Sequence, residues 1–177
     1  MAMKKRWISL LVENEVGVLA RISGLFSGKS YNLNSLAVGT TEDKTISRMT
    51  ISLTSDEQTF EQVKKQLNRS IEVIKVMDFT DIPLHMKELI FIKIRKCSPP
   101  DMVEIFRICE IFNIKAIDYN ATAVILESMQ TESRNNDLIC LLENMFPDRL
   151  EIVRGGSVAI EAISVTDHNH LDTCLNS

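Results

Sequence analysis

Apolar and polar positions along the 177 residues run twice through one sequence of patterns. Arg6 to Val12 is a short apolar run broken by Ser9, which predicts a strand. Glu13-Asn14-Glu15-Val16-Gly17 follows as a polar turn. Val18, Leu19, Ile22, Leu25 and Phe26 then recur at the spacing of one helical face. Residues from Tyr31 to Val38 alternate, Thr40 to Lys44 is a turn cluster, and Ile46 to Thr54 alternates again, giving a hairpin. Asp56 is placed to cap a second helix, whose inner stripe is Phe60, Val63 and Leu67. Ile71 to Met77 closes the round as a strand. The order is β-α-β-β-α-β, the split-βαβ or ferredoxin-like arrangement.

The second round begins with a strand from Glu88 to Arg95. Ser98-Pro99-Pro100-Asp101 stops it and starts a helix with Met102, Ile105, Phe106, Cys109 and Phe112 on its apolar stripe. Ile114 to Tyr119 and Ala123 to Met129 form a hairpin around Asn120-Ala121-Thr122. A helix from Thr131 to Phe146 turns Leu138, Leu141, Leu142 and Met145 inward, and Leu150 to Val153 is the last strand. Arg154-Gly155-Gly156-Ser157 reads as a turn, with Ser157 able to cap a short helix. The expected fold is α+β, two tandem ferredoxin-like domains repeating at roughly 80 residues. The expected limits are a first domain at 4–79, a linker at 80–87, a second domain at 88–163 and a disordered tail at 164–177.

Composition narrows the function. The net charge is −4, and it is split: residues 1–80 carry 11 Lys+Arg against 9 Asp+Glu, whereas 81–177 carry 9 against 15. No general basic field exists to attract nucleic acid. No apolar run approaches the roughly 18 residues of a membrane helix. Met1 to Trp7 has the charges of a leader but no continuous apolar core, so the expectation is a cytoplasmic chain with neither nucleic-acid nor membrane partners. Cys97, Cys109, Cys140 and Cys174 lack Cys-x-x-Cys spacing and read as free thiols. The histidines are His85, His168 and His170, the last two in a polar tail with Cys174. Neither a P-loop, nor a Gly-x-Gly-x-x-Gly, nor a nucleophile elbow occurs. The expectation is a chain with no catalytic residues, no metal site and no cofactor of its own.

The first β-to-α turn, Asn14 to Leu19, is the place most like a site. A helix N-terminus offers unpaired N–H groups and a partial positive charge. Gly17 lets a backbone approach a ligand, and Asn14 can donate and accept together. A zwitterion fits, its carboxylate on the amides of Val18 and Leu19. The spacing is equally consistent with Asn14 as a helix cap and Gly17 as a simple turn. Asn32 and Asn34, unusual in a strand, point to an edge, a turn or a polar interface.

At these residues a family resemblance enters. The stretch from Glu13 to Ser27, with Asn14-Glu15-Val16-Gly17-Val18-Leu19-Ala20-Arg21-Ile22 at its centre, resembles the opening of an ACT regulatory domain. More narrowly, it is similar to the small regulatory subunits of acetolactate synthase (acetohydroxyacid synthase). Tyr31-Asn32-Leu33-Asn34-Ser35-Leu36, Ser47-Arg48-Met49-Thr50-Ile51 and Val73-Ile74-Lys75-Val76 continue the likeness in order. Glu88 to Ile94, Ile117-Asp118 and Arg154-Gly155-Gly156-Ser157 extend it more loosely through the second half. The family usually has Gly where this chain has Ser30.

The resemblance implies a subunit without catalytic activity that activates a catalytic large subunit. That large subunit would hold thiamine diphosphate, magnesium and FAD. It implies feedback inhibition by valine, with leucine or isoleucine as alternatives, and a homodimer through ACT domains lying side by side. The effector would bind at the dimer interface. Carried over by position, the effector-binding residues are Asn14, Gly17, Val18 and Leu19 of one chain with Asn32 and Leu33 of the other.

Overall fold

The computed structural model describes residues 3–27 and 33–163. Asn32 and the tail from 164 lie outside the described residues. The elements run β1 (Lys4–Glu13), α1 (Val18–Ser27), β2 (Leu33–Thr40), β3 (Ile46–Ser55), α2 (Glu57–Leu67), β4 (Val73–Asp78), β5 (Leu84–Arg95), α3 (Pro99–Phe112), β6 (Lys115–Asn120), β7 (Ala123–Gln130), α4 (Glu132–Met145) and β8 (Leu150–Glu161). This is β-α-β-β-α-β twice. The strands form two four-stranded antiparallel sheets of matching topology, β2-β3-β1-β4 and β6-β7-β5-β8.

In each sheet the two central strands carry the core. Ile8 and Leu10 of β1 stand opposite Ile51 and Met49 of β3, all within 1% of fully buried. Ile92 and Ile94 of β5 stand opposite Leu126 and Val124 of β7 in the same way. Period-two alternation sends these side chains to one face of the sheet. In the first unit Val18, Ile22 and Phe26 of α1, with Phe60, Val63 and Leu67 of α2, complete the cluster. In the second, Ile105, Ile108 and Cys109 of α3, with Leu138 and Leu142 of α4, do the same. Phe106 and Leu141, expected inside, are partly exposed, and Ile108 takes the inner position instead.

Caps fix the helix starts. Asp56 accepts from the Thr59 amide at 2.7 Å, and Thr131 accepts from the Arg134 amide. Ser98 and Asp101 form a reciprocal capping box around Pro99 and Pro100. Asn113 ends α3 in the left-handed conformation, φ 54°, its N–H returning to the carbonyls of Cys109 and Glu110.

Two boundaries differ from the sequence reading. Strand β5 begins at Leu84, so 84–87, read as linker, is strand. Strand β8 does not stop at Val153 but continues to Glu161 through Arg154-Gly155-Gly156-Ser157, which forms neither a turn nor a helix. A Cβ on Gly155 would stand 3.3 Å from the Leu89 carbonyl oxygen, and Gly156 has φ 76°. The glycines serve close approach and a local kink within a strand, not a reversal. The described residues divide into two compact units, 3–85 with 158–163, and 86–157. Among the described cysteines, Cys97 and Cys109 are buried and free, and Cys140 is exposed and free; Cys174 lies outside. No described helix is long and apolar enough to cross a membrane.

A charged network lies on the helix side of the second sheet. The Arg154 guanidinium donates to both Glu88 carboxylate oxygens, at 2.9 and 2.7 Å. Asn135, fully buried, donates to the Glu88 carbonyl and carboxylate, both at 3.1 Å, and accepts from Ser128 Oγ at 2.8 Å. The Glu88 side chain is 3% exposed and that of Arg154 37%. The bonds from Glu88 stabilise the cationic form of Arg154 and hold its pKa above the ordinary guanidinium value. The pair is unequal in its dependence on water. Removing the arginine takes this counter-charge from a buried carboxylate, while removing the glutamate leaves a guanidinium that solvent still reaches. Arg154→Leu is therefore expected to lower the stability of this unit by about 3 kcal/mol or more, and Glu88→Gln by less. Urea titration followed by hydrogen exchange in β5 checks the order; equal losses would show that the pair is not buried as described.

Candidate functional site

The β1–α1 turn combines the features that a small anionic or zwitterionic ligand requires. Gly17 sits at φ 90°, a conformation that L side chains rarely adopt. A Cβ there would find only Arg21 Nη1, at an ordinary 3.7 Å, so the demand for glycine comes from the backbone and not from crowding. Helix α1 starts at Val18 with no acidic residue in its first turn. The Val18 amide turns back to the Glu15 carbonyl at 3.3 Å, and the Gly17 carbonyl accepts from the Arg21 amide at 3.0 Å. The donors a helix start leaves open are thus Leu19 and Ala20, one residue further along than the sequence placed them.

Asn14 neither caps the helix nor hangs free. Its Nδ2 donates to the Lys44 carbonyl at 2.9 Å, and its Oδ1 accepts from Ser47 Oγ at 3.0 Å. Its own amide donates to the Thr45 carbonyl at 2.7 Å. Three hydrogen bonds tie the turn to the β2–β3 hairpin. A second tie comes from Glu72, whose carbonyl accepts from the Glu13 amide at 3.0 Å and whose carboxylate pairs with Arg21 Nε at 2.6 Å. The turn is held from both sides before any ligand arrives. After these bonds the Asn14 carboxamide keeps one N–H and one lone pair.

The other expected residues are placed as follows. Val18 is 2% exposed and offers the site only its backbone. Leu19 is 46% exposed, and Val16 at the tip is completely so. The Leu33 side chain packs against the core of the first unit, opposite Leu53, leaving only its backbone available at the sheet edge. Within one chain the structure brings Asn14, Gly17, Val18 and Leu19 together. The turn is open at the surface. Sequence reasoning missed Lys44, Ser47, Arg21 and Glu72 as the groups that hold it. Their role follows from strand register, Val12 facing Ser47, which no local pattern announces.

The equivalent turn of the second unit is an internal control. There the first two helical residues are Pro99 and Pro100, which have no N–H. The Asp101 amide is taken by Ser98 Oγ at 3.3 Å, and the Met102 amide by the Ser98 carbonyl at 3.1 Å. Asp101 places a carboxylate where an anion would sit. The Ser98 amide and Arg149 hold its pKa below the usual carboxylate range. A concavity of about 660 Å³ beside this turn is lined by Lys93, Lys96 and Cys97 among others, but the helix presents it no free amide. Of the two turns, the first alone leaves amides open at its helix start. Among the described residues no group of three or more His, Cys, Asp or Glu side chains is placed to hold a metal.

Since Gly17 is required by its dihedral alone, Gly17→Ala is expected to cost the first unit about 1–2 kcal/mol without steric clash. The only tryptophan, Trp7, lies in β1 of this unit, so its fluorescence during urea unfolding measures the loss. An unchanged midpoint would mean that the turn relaxes out of the left-handed region.

Comparison with known proteins matches each half of the chain to a family model. Residues 8–75 match the model of the acetohydroxyacid synthase small subunit-like ACT domain, and 87–163 that of the small subunit of acetolactate synthase. The acetolactate synthase small subunit of Aquifex aeolicus is 42% identical over 157 residues, 89% of this chain and 81% of the relative. The isozyme 3 small subunit of Salmonella typhimurium is 34% identical over 156 residues, 88% of this chain and 94% of the relative. The crystal structure of the small subunit from Thermotoga maritima superposes with a TM-score of 0.80 at 33% identity, covering 90% of this chain and 98% of that one.

Proposed function

The chain belongs to the family of acetolactate synthase small subunits, and from that premise we propose that it is a feedback sensor. In this reading it activates the catalytic large subunit and makes it inhibitable by valine, with leucine or isoleucine as alternative effectors. Thiamine diphosphate, magnesium and FAD belong to the large subunit, and this chain contributes no catalytic group. It acts in the cytoplasm, as a homodimer through its ACT domains.

The observation that carries the reading is the contrast between the two β–α turns. One has a left-handed glycine, open amides at Leu19 and Ala20 and no acidic residue in the first helical turn. The other is closed by two prolines and a capping box. An amino-acid carboxylate suits the first and is rejected by the second. The exposed aliphatic groups of Val16 and Leu19 suit a branched apolar side chain. Because the turn is open at the surface, a second ACT domain completes it, supplying Asn32 and the Leu33 backbone. Binding then favours the dimer geometry that encloses the effector. It shifts the complex with the large subunit by no more than the effector's differential affinity for the two states.

Asn14→Ala removes the tie to Lys44 and Ser47 without touching a core residue. The expected outcome, in turnover of pyruvate by the large subunit with this chain and increasing valine, is activation near the wild-type level. The valine concentration for half inhibition should rise about tenfold or more, the equivalent of one or two lost hydrogen bonds. Inhibition that survives unchanged would place the sensing site elsewhere. A wild-type chain that neither activates nor confers inhibition would overturn the functional reading itself.

A further inference from the structure

Strand β5 places Ile90, Ile92 and Ile94 in the core of the second unit, so Phe91, Lys93 and Arg95 point to the opposite face of the sheet. Two hollows lie on that face and share Lys93. One, of about 660 Å³, is bounded by Lys93, Arg95 and Lys96 together with Cys97 and Thr122. The other, of about 280 Å³, is bounded by Phe91, Ile117, Ile125 and Val153 with Lys93 and Glu151.

We propose that these joined hollows bind an organic phosphate whose other end is apolar. The phosphate lies on Lys93, Arg95 and Lys96, and the apolar group against Phe91, Ile117, Ile125 and Val153. The site is separate from the β1–α1 turn and does not rest on the sensor reading of that turn.

The lysines carry the argument. Lys93 is half-buried on an inner strand, directly opposite Ile125. Among the described residues, the ammonium groups of Lys93 and Lys96 have no ion pair. The carboxylate that lines the apolar hollow, Glu151, is paired with Arg95. Two positive charges are therefore left unanswered in a stretch, 81–177, that carries 9 Lys+Arg against 15 Asp+Glu. A phosphate ester, with a charge of about −1.5 to −2 near neutral pH, matches this surplus; a single carboxylate matches half of it.

The basic walls are set before a ligand arrives. Lys96 is in the left-handed conformation, φ 55°, and its carbonyl accepts from Arg149 Nη1 at 2.9 Å. The Cys97 amide donates to the Thr122 carbonyl at 2.8 Å, which fastens this corner to the β6–β7 turn. Asp101 does not compete for the lysines, being held by the Ser98 amide and by Arg149.

Charge also sets the orientation. Glu127 stands opposite Phe91, and Asp118 opposite Ile125, on the same sheet face. Both carboxylates repel a phosphate from the apolar end. There Ile117 and Val153 are 49% and 57% exposed and offer surface to cover. Phe91 and Arg95 are about 13 Å apart along the strand, at roughly 3.3 Å per residue. That length suits a ring or short chain bearing a phosphate.

The test uses the full chain and naphthyl phosphate, a fused apolar ring with a dianionic head, followed by isothermal titration calorimetry. Inorganic phosphate and naphthol are titrated alongside. The wild type should bind naphthyl phosphate with a dissociation constant below about 1 mM, and about tenfold or more tighter than either fragment. Lys93→Met and Lys96→Gln should each weaken binding about tenfold, the loss of one charge-assisted contact. Val153→Asp, which sets a carboxylate in the apolar hollow, should weaken it to a similar degree. Lys65→Gln, the same charge change on α2, should leave it unaltered. Far-UV circular dichroism confirms that each variant is folded. Adenosine monophosphate and hexyl phosphate then compete with the probe: displacement by the first assigns a flat ring, and by the second an aliphatic chain. The proposal is overturned by a wild type that does not bind, by inorganic phosphate binding as tightly as the probe, or by lysine variants that bind as wild type. An equal loss in Lys65→Gln, or no displacement by either competitor, overturns it too.

Discussion

Each unit rests on one constraint: a four-stranded sheet with one strongly apolar face. Ile8, Leu10, Met49 and Ile51 in the first unit, and Ile92, Ile94, Val124 and Leu126 in the second, must all leave water on the same side. Two helices are the smallest cover for such a face. Once both helices lie there, the rest of the geometry follows. The β–α turns fall at one end, and the outer strands are left as edges. The candidate site is a by-product of where the helices must start to cover that face.

The duplication shows how one architecture is divided between tasks. The two first turns have the same position in the topology and opposite chemistry. Asn14 and Gly17 keep the first open and supported from the hairpin. Ser98, Pro99, Pro100 and Asp101 satisfy the second from within. A capped turn favours stability, since its donors are used locally. An uncapped one gives up that stabilisation and retains affinity for an anion. The buried Glu88–Arg154–Asn135 network ties β5, β8 and α4 of the second unit together.

Much of this was legible in the sequence, because the decisive signals are local. The two rounds of strands and helices follow from alternation and helical stripes. The caps at Asp56, Ser98 and Thr131 follow from residue type alone. Asn14 and Gly17 were visible as a turn of interest. What was not legible depends on register between distant strands. That the Asn14 carboxamide is held by Lys44 and Ser47 requires knowing that β1 and β3 align Val12 with Ser47. That the Leu33 side chain packs against the core requires its pairing with Leu53. Gly155-Gly156 was misread for the same reason: glycines punctuate a chain locally, and only the nearby backbone of Leu89 shows that these two lie inside a strand.

The strand order has a further consequence, for the order in which the chain is made. Strand β1 is made before the other strands of its sheet but is central in it, between β3 and β4. Its apolar side chains have no complete partner until Asp78 has been synthesised, a wait on the order of seconds at typical elongation rates. Strand β5 repeats the situation, waiting for β7 and β8. During each interval a sticky, β-prone segment is exposed with both edges open, and a slowed ribosome lengthens the exposure. In living cells, production of this protein is therefore expected to depend on translation speed and holdase chaperones more than its compact halves suggest.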